Sequence, residues 1–299
     1  MTELDALLDQ VPALTGSPRR IEELSGGLTN RNLKVTTPDG VYVARLNLSD
    51  SELLDIDREA EAFNTRAAEQ SGVGAPYVDY RPDLGLLVIG FIEGRTYVDA
   101  DLRAPGALDR VAIALRMLHA GPRFQNEFDM FTRQATYLRT CTERGFKVPD
   151  GYADFAADFA RIRDALGVSP VDTVPCNNDL LAGNIVDDGD KLWLIDYEYS
   201  GNNDPFFELG NCWTECELDD EHLGELVTAY VGHESPKLIA RTRLRAVTSR
   251  YGWSLWGFIQ AATRDDDFDF YGWGQERFDK AAADFRSPDF GTWLEVAAS

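Results

Sequence analysis

Residues 175–211 read PCNNDLLAGNIVDDGDKLWLIDYEYSGNNDPFFELGN, and this stretch decides the fold. Asp179 is followed after five residues by Asn184, and after twelve more by Asp196. The spacing lets one loop present both a carboxylate that can orient a hydroxyl and an amide that can hold a metal ion. The predicted strands Asn184 to Val186 and Leu192 to Ile195, turning at Asp187-Asp188-Gly189-Asp190, bring the second carboxylate back to the same place. Phosphoryl transfer needs this set: an acceptor hydroxyl held in line with the phosphate, and hard oxygen ligands for Mg²⁺. A plain polar loop would show the same letters. Here, however, the acids adjoin the apolar runs Leu180-Leu181 and Leu192 to Ile195, where an isolated charge is costly to bury.

Upstream, the chain reads as strands with one helix. Ile21 to Leu24 leads into Gly26-Gly27, and Asn32 to Thr36 and Val41 to Leu46 flank a Pro38-Asp39-Gly40 turn, which predicts a hairpin. A helix is predicted over Ser51 to Ser71, with Ile56, Ala60, Phe63 and Ala67 on one face. Ser49, Asp50 or Ser51 would cap it, and Gly72 would end it. Tyr77 to Arg81 and Leu86 to Phe91 are strand-like, and Gly94 marks a boundary. Beyond it helical periods dominate, over Leu108 to His119, Asp129 to Arg144, Tyr152 to Leu166, His222 to Tyr230 and Pro236 to Ala262. The expected class is α+β: a small sheet-rich lobe over 1–93 and a larger helical lobe over 94–299.

The formal charge is −22, from 29 basic and 51 acidic residues, which argues against nucleic acid or an anionic membrane as partner. It suits a cationic ligand, although a solvated, salt-adapted surface explains most of it. No stretch is apolar enough to insert into a membrane, and the start MTELDALLDQVPAL reads as a short amphipathic helix, not an export signal. Cys141, Cys176, Cys212 and Cys216 have no zinc-site spacing with the histidines, so free thiols in a cytoplasmic protein are expected. Oligomeric state is left open.

Trp253 and Trp256 share a helix face, and Phe268 and Trp273 follow an acidic turn. Tryptophans so spaced are usually core. They are also what a quaternary ammonium requires, since it has no N–H to donate and is held by aromatic faces.

The segment 175–211, with SGGLTNRNLKV at 25–35, LHAGPRF at 118–124 and WSLWGFIQ at 253–260, closely resembles the choline/ethanolamine kinase family. That family is related to the aminoglycoside phosphotransferases and shares the bilobal protein-kinase-like fold. The resemblance implies an Mg·ATP-dependent kinase acting on the hydroxyl of a small cationic amino alcohol, choline first, giving phosphocholine. Ethanolamine, thiamine or an aminoglycoside are alternative substrates, and a catalytically silent binding homologue is the alternative of another class.

By position, the resemblance makes Asp179 the catalytic base, gives Mg²⁺ to Asn184 and Asp196, and adds Glu198 to the metal site, either as a direct ligand or as support behind the ligands. Gly26, Gly27, Thr29 and Asn30 would form the phosphate loop, with Arg45 on the phosphates. Glu61 would pair with Arg45, and Glu59 competes by periodicity. Phe91 and Ile92 would meet the adenine, and Tyr199, Glu215, Trp253, Trp256, Phe268 and Trp273 would line the acceptor pocket. Three departures stand out: Asn177 replaces a histidine that supports the loop, Trp273 replaces a tyrosine, and the acidic Glu217 to Asp220 replaces a segment with a further pocket tyrosine. A cage whose gap is filled by carboxylates is the expectation there.

Overall fold

Alternating apolar residues give the first part of the chain an antiparallel sheet with a separate core on each face. The structure, a computed structural model, describes residues 3–15, 18–24, 29–47, 53–265 and 267–299. Helix α1 (Glu3–Leu8) precedes β1 (Arg20–Leu24), β2 (Asn30–Thr37), β3 (Gly40–Asn47), α2 (Arg58–Ser71), β4 (Tyr77–Arg81) and β5 (Leu86–Gly90). The sheet order is β1-β2-β3-β5-β4, antiparallel throughout. Strand β5 shows why both faces are apolar. Leu86 and Val88 join Leu8, Leu33 and Val35, while Leu87 and Ile89 point the other way, toward Ala62 of α2 and Ala75.

Helix α2 begins at Arg58, later than its periodicity suggests, because Asp57 caps it. The Asp57 carboxylate accepts from the N–H groups of Glu59 and Ala60. The expected caps at 49–51 lie outside the described residues. Gly72 ends the helix at φ +86°, as its position predicts. Phe63, expected inside, is 50% exposed. The inner face instead carries Glu61 and Asn64, because it meets polar partners: the Asn64 amide donates to Asn126 Oδ1 at 2.8 Å and to Ser200 Oγ at 3.0 Å.

The chain continues through β6 (Arg95–Thr96), α3 (Asp99–Leu102), α4 (Ala107–His119), α5 (Met130–Arg144), α6 (Ala156–Val168) and β7 (Val174–Cys176). Then come β8 (Ile185–Asp187), β9 (Leu192–Leu194), β10 (Gly201–Asn203), α7 (Pro205–Glu215), α8 (Asp220–Val231), α9 (Pro236–Thr263), α10 (Phe270–Arg286) and α11 (Phe290–Ala298). The region predicted as one helix from Tyr152 opens as a 3-10 turn, Tyr152–Phe155, before α6. Strands β8 and β9 form the predicted hairpin, and β6 adds to its edge. Helix α9 runs 28 residues and is buried on all sides from Val247 to Gln260 except at Arg250. It packs against α5, α7, α10 and α11 and so forms the axis of the helical part. The four cysteines are buried free thiols. Among the described residues no helix is long and apolar enough to cross a membrane.

Candidate active site

The loop carrying Asp179 leaves β7, which pairs with β10, and is anchored from behind by α7. Glu208, fully buried, accepts from the backbone N–H of Asn177 at 2.6 Å and of Asn178 at 3.1 Å. Its other oxygen lies 2.6 Å from His119 Nε2, whose Nδ1 lies 2.7 Å from the Tyr230 hydroxyl. One turn along α7, Asn211 Oδ1 accepts from Leu180 N–H at 2.7 Å. His119, Cys176 and Glu208 place ligand-type atoms within 4.8 Å of one another, but both Glu208 oxygens are already engaged by the loop and the imidazole.

Asn178 takes a left-handed backbone, φ +68°, and its amide bonds to Cys176, Tyr199 and Gly201 carbonyls. Asn177 does what loop support requires. Its amide donates to the carbonyls of Ile195 at 3.0 Å and Asp196 at 2.8 Å, and its oxygen accepts from Asp179 N–H at 3.1 Å. The loop is therefore tied to the strand end that carries Asp196 without a histidine. Asn184 closes it, donating to the Asp179 carbonyl at 2.8 Å.

Asp196 also has a left-handed backbone, φ +65°, a costly conformation for a residue with a side chain. Arg45 from β3 donates to its carboxylate at 2.7 Å and lies 3.3 Å from Glu61. Glu61 is thus the helix partner of Arg45, and Glu59 is exposed. Arg58, which the sequence reading passed over, bridges Glu61 at 2.7 Å and Glu198 at 3.3 Å. Glu198 also accepts from Thr29 Oγ1 at 2.7 Å and Asn30 Nδ2 at 2.8 Å. The buried cations and carboxylates offset one another, which an unpaired charge could not do. Burial opposes the Arg45 charge, but Asp196, Glu61 and Glu198 outweigh it and its pKa is raised. Burial raises Glu198 to about 7, and burial followed by the Glu215, Asp196 and Glu198 charges lifts Asp179 well above the carboxylate range.

Two cavities of about 400 and 410 Å³ share Leu181, Gly183, Asn184 and Asp196 in their walls. The larger, beneath the sheet, is lined by Arg45, Phe91 and Ile92 with Val43, Ala75 and Ile89. Asn32 Oδ1 and Arg45 Nε are buried there without a partner among the described residues, and an apolar slot beside such groups fits a flat base with a phosphate tail. Asn184 and Asp196, in the wall common to both cavities, carry hard oxygens of the kind that could hold Mg²⁺. Thr29 and Asn30 approach this region through Glu198. Gly26 and Gly27 lie outside the described residues.

The other cavity brings together every residue expected at the acceptor site: Asp179, Tyr199, Glu215, Trp253, Trp256, Phe268 and Trp273. Trp253 and Trp256 are 4% and 6% exposed, yet both line it. Close helix contact puts Trp273 opposite them. A Cβ on Gly257 of α9 would meet Gly274 Cα of α10 at 2.8 Å, so only glycines permit the approach. The rings then hold one another. Trp256 Nε1 donates to the Tyr199 hydroxyl at 2.7 Å, Tyr199 meets Trp253 edge-on at 4.8 Å, and Trp256 lies 5.1 Å from Trp273.

Two charged lining residues were missed, Asp99 and Arg277. Arg277 pairs with Glu215. The acidic segment does not fill a gap in the cage: Glu217 pairs with Lys280 at 3.1 Å, Asp219 caps α8, and Asp220 pairs with Arg243 at 2.8 Å.

The phosphotransferase enzyme family model matches residues 20–246. The chain is 30% identical to a choline/ethanolamine kinase family protein from Mesorhizobium loti of known crystal structure, with a TM-score of 0.87 over 99% of this chain and 98% of that one. It is 29% identical to protein LicA of Haemophilus influenzae, covering 77% of this chain and 70% of that protein. It is 25% identical to a probable ethanolamine kinase of Arabidopsis thaliana, covering 85% and 76% respectively.

Proposed function

Because the chain belongs to the phosphotransferase enzyme family, within its choline/ethanolamine kinases, we propose that it transfers the γ-phosphoryl group of Mg·ATP to choline, giving ADP and phosphocholine. The observation that carries this reading is one cavity walled by Tyr199, Trp253, Trp256 and Trp273 that opens on Asp179. Aromatic faces suit a trimethylammonium group, which offers no N–H to a carboxylate.

The choline hydroxyl oxygen attacks the γ-phosphorus in line as the bond to the ADP oxygen breaks, and Asp179 receives the hydroxyl proton. The loop bonds to Asn177, Glu208 and Asn211 hold Asp179 for this step. Arg45 screens the phosphate oxygens. Asn184 and Asp196 would hold Mg²⁺, which supplies charge neutralisation on the phosphates. Both Glu198 oxygens are bonded to Thr29, Asn30 and Arg58, which suits a role in linking that site to the phosphate loop. Phe91 and Ile92 would receive the adenine.

The lobe boundary is proposed at Glu93-Gly94, where a Cβ on Gly94 would meet the Asp187 carbonyl at 2.6 Å. The free thiols favour the cytoplasm. Ethanolamine is the second reading, favoured by the similarity to a probable ethanolamine kinase.

ADP release from the purified protein, measured with choline, ethanolamine, thiamine and an aminoglycoside, tests the proposal. The highest kcat/KM is expected on choline. Tight choline binding with no turnover on any of them would mean a silent homologue.

A further inference from the structure

Arg277 is a cation that the chain places inside its own acceptor cavity. It sits one turn beyond Trp273 on α10, and its guanidinium lies over that indole, 3.4 Å from the ring centroid. Nε donates to Glu215 at 3.3 Å, and a second nitrogen donates to the other Glu215 oxygen. The side chains are 16% and 7% exposed, so the pair is largely withdrawn from water, and both line the cavity with Asp179. A ring face and a carboxylate, the two devices that recognise a cation, are therefore already shared with a resident positive charge.

We propose that Arg277 is a specificity-determining residue, a fixed positive charge that admits one substrate ammonium and rejects a second. This rests on the reading of the cavity as the acceptor site. One ammonium finds the faces of Trp253 and Trp256, which line the cavity with Tyr199. A second would have to sit near the guanidinium, where Glu215 is already spent. Asp99, the remaining carboxylate at this end, is exposed and offers only a screened attraction. Like charges about 5 Å apart in such a recess disfavour binding by roughly 10- to 100-fold. The device would separate amino alcohols from aminoglycosides, which carry several ammonium groups.

The test compares two amino alcohols of equal length and shape. Both carry one ammonium group near the hydroxyl; at the far end one adds a second charge, a trimethylammonium group, and the other the uncharged tert-butyl group of the same size. The readout is the ratio of their kcat/KM values, uncharged-tail over charged-tail, with Kd measured by tryptophan fluorescence. Wild type is expected to prefer the singly charged compound by roughly 10-fold or more. Arg277→Gln should cut that ratio by about 5-fold or more, while Arg277→Lys should hold it within about twofold, since the charge is kept. Glu215→Gln, which strips the guanidinium of its counter-charge, should move the ratio upward, and it decides the matter if Arg277→Gln does not fold. A purely structural arginine would lower kcat/KM for both compounds alike and leave the ratio where it was. That result, or a wild type indifferent to the second charge, overturns the proposal. A wild type that turns over no amino alcohol overturns the acceptor-site reading instead.

Discussion

Around Asp179 and Asp196 the side chains are placed by directed bonds, whereas around Trp253 and Trp256 rings are placed mostly by one another. At the phosphoryl end Asn177, Asn178, Glu208 and Asn211 each make specific hydrogen bonds to the loop, and two residues hold left-handed backbones to keep it in position. At the acceptor end, among the described residues, a single hydrogen bond, Trp256 to Tyr199, joins rings otherwise held by contact across α9 and α10. Directed bonds fix a reacting atom to within tenths of an ångström, and losing one leaves a buried group unpaired. Packed aromatic faces are more forgiving, since cation–π attraction varies smoothly with position. The phosphoryl end should therefore fail abruptly on substitution, and the acceptor end by degrees.

The abrupt side is the more exposed to test. Asp179→Asn should lower kcat by about 10²- to 10⁴-fold with little change in choline Kd, by steady-state kinetics alongside fluorescence titration. Turnover that survives would take the proton-accepting role away from this residue. Next comes the support of α7. Asp204 caps that helix, and Arg241 and Arg245 both bond to its carboxylate, at 2.5 and 2.8 Å. Burial works against this carboxylate, but the two arginines outweigh it and its pKa is lowered. A carboxylate depressed in the folded state contributes stability above its unfolded pKa, and loses it as pH falls through the folded value. Asp204→Asn should cost about 3–5 kcal/mol near neutral pH by urea unfolding, with the gap to wild type narrowing under acid. A gap that widened under acid would reverse the sign assigned to this group.

The graded side predicts smaller numbers. Trp256→Leu removes one ring face and should raise the choline KM by roughly 2- to 30-fold while kcat falls less. A loss as deep as that of Asp179→Asn would erase the contrast between the two ends.

How far each end could be seen beforehand follows the same division. The loop and hairpin were legible because D-x-x-x-x-N and the distal Asp are adjacent in sequence, and the β2–β3 hairpin because Pro38-Asp39-Gly40 is turn chemistry. The acceptor residues became legible through the family resemblance, since spacing alone cannot tell a cage from a core. Helix α7 gave no period to read, as its residues from Pro205 to Thr214 are all buried. Helix α10 was not drawn, and Arg277 was missed with it, though its place four residues after Trp273 was the available signal. Arg58 escaped because its i,i+3 pairing with Glu61 is ordinary helix chemistry, and its bond to Glu198, 140 residues on, exists only in the fold. Strands β6, β7 and β10 have two or three residues each, too few to show alternation.

A crystal structure with choline, Mg²⁺ and a non-hydrolysable ATP analogue would test the central claim most directly. The account predicts the trimethylammonium group against the indoles of Trp253 and Trp256, with the hydroxyl directed at Asp179 and the γ-phosphate beyond it. Choline lodged elsewhere, or its hydroxyl turned away from Asp179, would contradict it.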